Sequence, residues 1–124
     1  MRRLSLSLSM VALLALAACA TEPERKFLVF FPSDAMTLTS DASLVVKDVA
    51  KTAEQTHASR VTVVGQAGGG SSTAATLANQ RAATVAAALA AAGVNPARIQ
   101  QEPGVLEPGN HDVSARTVVI RLES

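Results

Sequence analysis

The sequence predicts a two-layer α/β (α+β) sandwich in the order β-α-β-α-β-β, a mixed four-stranded sheet with two helices on one face. Three observations predict it. Two short strand-like runs, Phe27–Phe31 and Arg60–Val64, are each followed closely by a segment with helical periodicity. The crossovers are short, so each helix must fold back onto the sheet it leaves. Beyond the second helix, Pro96, Pro103, Pro108 and Gly109 divide the chain into short pieces that only strands can fill.

The elements follow in order. Phe27-Leu-Val-Phe-Phe31 is almost purely apolar and is stopped by Pro32, which suits a buried strand. Thr39 is placed to cap a helix whose first turn holds Asp41, favourable at the positive end of the helix dipole. Ala42, Val45, Val46, Val49 and Ala53 recur on one face of that helix, opposite Lys47, Asp48, Lys51 and Glu54, to about Thr56. Arg60–Val64 is β-branched and closed by Gly65, and a glycine-rich loop runs from Gly65 to Ser72. The second helix, Thr73 to Ala92, is dominated by alanine, with Leu77, Val85 and Leu89 along one face and Gly93 as its C-terminal cap. A weak strand at Ile99–Glu102 and a stronger one at Thr117–Leu122 complete the sheet. Alanine allows close approach but buries little area, so Leu77, Val85, Leu89, Val63 and Ile120 are expected to carry much of the core.

The start of the chain is an export signal. Arg2 and Arg3 precede an apolar run from Leu4 to Leu16, and Leu16-Ala17-Ala18 leads into Cys19, the single cysteine. The run is about a dozen residues where a membrane span needs roughly 20. No twin-arginine continuation follows. The placement of Cys19 resembles a bacterial lipobox, in which the thiol carries diacylglycerol and becomes the new N-terminus. Residues 1–18 are then the signal peptide, 19–26 a lipidated tether and 27–124 the domain. Ala20 rather than aspartate after the cysteine implies, by the same resemblance, the periplasmic leaflet of the outer membrane.

Removing residues 1–18 from the 124 leaves 106, one domain with a modest core, and takes the formal charge from +1 to −1. The basic character belongs to the leader. The remaining basic residues are scattered and the aromatics are Phe27, Phe30 and Phe31 alone, so nucleic acid is not an expected partner. With Cys19 used as the anchor, no disulfide and no thiol chemistry remain.

Catalytic and cofactor signals are thin. Glycines 65, 68, 69 and 70 match neither Gly-x-Gly-x-x-Gly nor a P-loop, and no lysine precedes Ser71 or Ser72. His57 ends the first helix and His111 stands beside Asp112, neither with a second ligand at metal spacing, and no serine lies in a nucleophile elbow. No cofactor, no metal and no enzymatic activity are expected. Arg81 is the exception in an otherwise bland surface. It falls about 40° from both Leu77 and Val85, inside the apolar stripe. Either its stem packs while its head reaches the rim, or its fork is aimed at a carboxylate.

The ordered motifs resemble the OmpA-like peptidoglycan-binding domain family, which includes the peptidoglycan-associated lipoproteins. Phe30 through Asp34 to Leu38, Thr39 and Ala42 is similar to its opening segment; Leu77-Ala78-Asn79-Gln80-Arg81-Ala82 is similar to Leu-Ser-x-x-Arg-Ala; Ala92-Gly93-Val94 with Arg98-Ile99, and Arg116–Ile120, follow in the family's order. The resemblance implies a non-enzymatic protein that binds the peptidoglycan stem peptide, with Arg81 gripping a carboxylate of diaminopimelate and Arg116 assisting. In the family the loop after the second strand reads Gly-His-Thr-Asp, and here Gly65-Gln66-Ala67-Gly68 stands in its place, without the aspartate. Losing that counter-charge costs about 1.5 to 3 kcal/mol, roughly ten- to hundredfold in affinity. Asp112 and Glu107 are the substitute acids the sequence offers. The other reading is a degenerate copy that binds a protein of the envelope or its secretion machinery, which the short tether favours.

Overall fold

A computed structural model describes residues 24–32, 35–66, 72–104 and 116–124. Cys19, Gly68, Glu107, His111 and Asp112 lie outside them. The elements are β1 (Arg25–Phe30), α1 (Ser40–Gln55), β2 (Arg60–Gly65), α2 (Ser72–Ala91), a 3-10 turn (Pro96–Arg98), β3 (Ile99–Pro103) and β4 (Thr117–Glu123). This is the predicted order.

The sheet runs β1-β4-β2-β3. β4 is antiparallel to both β1 and β2, in the registers Phe27↔Ile120 and Val63↔Ile120, while β3 lies parallel to β2 with Val61 opposite Ile99. The last strand therefore inserts between the first two. That position is consistent with its β-branched run Thr117-Val-Val-Ile, since a central strand must be apolar on most of its length. It also corrects the expectation that Phe27–Phe31 is a buried strand: β1 is an edge strand, in which Val29 is buried while Leu28 and Phe30 are exposed. It begins at Arg25, two residues before the apolar run.

Both helices pack on one face. Val29 and Phe31 next to β4's Val118, Ile120 and Leu122, and β2's Val61 and Val63, meet Val46, Val49 and Ala53 of α1 and Ala82, Val85 and Leu89 of α2 in one buried cluster. Leu77 does not join it. Gly65 faces α2 so closely that its missing side chain is replaced by Ala78 and Ala82. Turning those small residues toward the sheet rotates Leu77 to the flank of the stripe, where it is half-buried.

The helix ends were legible. Thr39 is extended and its hydroxyl accepts a hydrogen bond from the Ala42 amide at 3.1 Å. Thr39→Ala is expected to cost about 1 kcal/mol, read as a lowered urea midpoint with unchanged slope. At the far end of α2, Gly93 has φ +110°, and the Val94 and Gly93 amides reach back to the carbonyls of Leu89 and Ala90. Those paired bonds close the helix as a Schellman motif. His57 ends α1 with φ +52°.

On the sheet face opposite both described helices, Arg121 crosses the sheet. Its Nη2 donates to Glu102 of β3 at 2.8 Å and its Nε lies 3.5 Å from Glu24.

Candidate functional site

Arg81 gathers one end of the molecule. It lies a little over two turns into α2, on the flank of the buried stripe, and is 3% exposed. Its Nε donates to the carbonyl of Ala35 at 2.8 Å and its Nη2 to that of Pro32 at 3.1 Å. The guanidinium carbon stands 5.4 Å from the centre of the Phe31 ring. The head does not reach out to the rim. A buried cation needs its hydration replaced, and here carbonyl dipoles and an aromatic face do so.

Those bonds fix the β1–α1 loop. One turn further along α2, the Thr84 hydroxyl lies 3.0 Å from the Met36 carbonyl and 3.0 Å from that of Gln80. Arg81 and Thr84 thus hold the loop at Pro32, Ala35 and Met36. Thr84 carries a signal that sequence reasoning missed, because it is three residues from Arg81 and shares its helix face. Phe31 could be recognised only from pairing.

Arg116 comes to the same end from the other side. Its carbonyl accepts the Phe31 amide at 2.9 Å, and the next residue, Thr117, accepts the Gln66 amide at 3.0 Å. The ends of β1 and β2 and the start of β4 therefore converge, with the Phe31 ring facing the Arg81 guanidinium and the Phe31 amide bonded to the Arg116 carbonyl. Arg116 is half-buried. The end of β2 leads into the glycine-rich loop, whose Gly68 lies outside the described residues.

Two depressions lie away from this end. One of about 220 Å³ is lined by Glu54, Ala58, Gly93 and Arg98 at the opposite pole, and one of about 470 Å³ opens between the helices beside Leu38, Val46, Lys47 and Ala88. Neither is lined by Arg81 or Arg116. Among the described residues, no group of three His, Cys, Asp or Glu side chains gathers to hold a metal, and no helix is long and apolar enough to cross a membrane.

The fold defines a two-layer α+β domain in which β4 lies between β1 and β2 and so splits the β1-α1-β2 unit. The sequence model of the OmpA family matches residues 30–115, and the chain belongs to the OmpA family. The OmpA-like domain of FopA1 from Francisella tularensis subsp. tularensis SCHU S4 is similar at 20% identity with a TM-score of 0.69, over 80% of this chain and 71% of that one. The periplasmic domain of Helicobacter pylori MotB aligns at 20% identity and TM-score 0.64, over 85% and 75% of the two chains. The peptidoglycan-associated lipoprotein from Burkholderia pseudomallei aligns at 20% identity and TM-score 0.59, over 77% and 87%. No curated protein sequence matches the chain.

Proposed function

We propose that this protein is a non-enzymatic, lipid-anchored module of the bacterial cell envelope that binds the peptidoglycan stem peptide at the end of the sheet where Arg81 and Arg116 meet. Membership of the OmpA family supports the reading, and one similar structure bears the name of a peptidoglycan-associated lipoprotein. The observation that carries it is that Phe31 faces the Arg81 guanidinium through its ring and bonds the backbone of Arg116 through its amide, which brings both residues to one end of the sheet. Carboxylates are recognised by such charge, and arginine keeps it at every relevant pH.

The division of labour differs from a bare fork. Arg81 spends Nε and Nη2 on the carbonyls of Ala35 and Pro32, so it acts on a stem peptide by holding those two residues in place and by its buried charge. Arg116, half-buried just before β4, is the residue we assign to contact with the peptide itself. With Gly68 where the family has aspartate, the ammonium of diaminopimelate lacks a partner there and binding is weak. Lipidation at Cys19 would place the domain at the outer membrane, on its periplasmic face.

A second reading, an envelope or secretion-machinery protein as the ligand, is favoured by that same use of Arg81 on its own loop. Sedimentation with purified sacculi separates the two. Wild type is expected to pellet weakly, Arg116→Ala to stay in the supernatant, and Gly68→Asp to pellet roughly ten- to hundredfold more tightly, the affinity equivalent of one charged hydrogen bond. Wild type left in the supernatant while Gly68→Asp pellets would mean the natural chain has given up the wall.

A further inference from the structure

We propose that the uncovered face of β1 rests on the lipid leaflet that holds the anchor, so that the domain lies sheet-down on the membrane. The proposal rests on the reading of Cys19 as lipidated. Alternation along the strand puts Phe27 and Val29 toward the helices and Lys26, Leu28 and Phe30 on the opposite face. Leu28 is 49% exposed and Phe30 52%, unusual for side chains of that size at adjacent positions of one face. In register, Leu28 continues into the half-buried Val119 and Val64, so the apolar row extends inward across three strands. Both described helices lie on the other side.

What covers this row follows from the chain before it. Five residues, Ala20 to Glu24, separate Cys19 from the first residue of β1, and fully extended they span at most about 18 Å. A leaflet holding the anchor is therefore within reach of the whole strand. Lys26, exposed on the same face as Leu28 and Phe30, opens the strand on the tether side, where an anionic headgroup would meet it, while the Arg121 charge on that face is already paired with Glu24 and Glu102. A lysine leading into exposed apolar side chains is the pattern of an interfacial contact. Leu44 is equally exposed, at 59%, but sits on α1 beside Asp41, Lys47 and Asp48, away from the sheet face.

The chain has no tryptophan and no tyrosine, so a single substitution supplies a unique emitter. Full-length lipidated protein carrying Phe30→Trp is reconstituted into phosphatidylcholine–phosphatidylglycerol vesicles with brominated acyl chains, beside Leu44→Trp. Phe30→Trp emission is expected to shift to the blue and to be quenched several-fold more strongly than Leu44→Trp. Equal quenching of the two would overturn the proposal. So would a blue shift without quenching, which would mean that protein, such as a second copy, covers the face. Cys19→Ser in the Phe30→Trp background tests the anchor separately. Release from the vesicles upholds the anchor whatever the quenching shows. Retention of Cys19→Ser, with or without quenching, would remove the anchor on which the proposal rests.

Discussion

Gly65→Val is expected to prevent the domain from folding, and Gly65→Ala to cost about 3 kcal/mol or more. A Cβ at position 65 would overlap the carbonyl oxygen of Ala78, stand 2.8 Å from its carbon and 3.3 Å from the Ala82 methyl. The atoms in the way are helix backbone, not the tip of a flexible side chain. Relief requires α2 to lift from β2, and that would open the packing of Val85 and Leu89 on Val61 and Val63. The cost comes from separating two layers, so it exceeds that of an ordinary overpacked side chain. Circular dichroism with thermal melting reads it, and a Gly65→Val protein melting like wild type would contradict the close approach of β2 and α2.

Arg81→Met is expected to destabilise the domain by about 2 to 3 kcal/mol, since it keeps the apolar stem but strips donors from two loop carbonyls. Both bonds are part-buried, so water recovers some of the loss. Arg81→Lys should recover only part of the difference, because a single ammonium cannot span the two carbonyls in the guanidinium's planar geometry. Urea unfolding gives the energies. Amide exchange at Ala35 should rise in Arg81→Met more than exchange in β2 or β4, since its amide bond to the Pro32 carbonyl belongs to the loop that Arg81 holds. Unchanged stability and unchanged exchange would mean that the loop holds itself.

Local features were readable from the residues alone because their causes are local. Thr39 announces a helix start through its hydroxyl, and Gly93 a helix end through the backbone angle that it alone adopts without strain. Arg81 stands out as a charge within an apolar stripe. Long-range facts were less accessible. That β4 inserts between β1 and β2 depends on pairings across the chain, so the apolar run at Phe27–Phe31 gives no hint that it lies at an edge. The rotation of α2 that displaces Leu77 is decided by Gly65, which is distant from it in sequence. The partners of Arg81 are main-chain carbonyls, which leave no mark in the residue types of Pro32 and Ala35. Phe31 joins the site through its register beside Arg116, again invisible without the fold.

The role of the Arg81–Arg116 end is tested most directly by following backbone amides by NMR while a diaminopimelate-containing stem peptide is added to the protein. The shifts are expected to cluster at Phe31, Ala35, Gln66, Arg81 and Arg116, and to weaken in Arg116→Ala. No shift at millimolar peptide, or shifts confined to Glu54, Ala58 and Arg98 at the opposite pole, would contradict it.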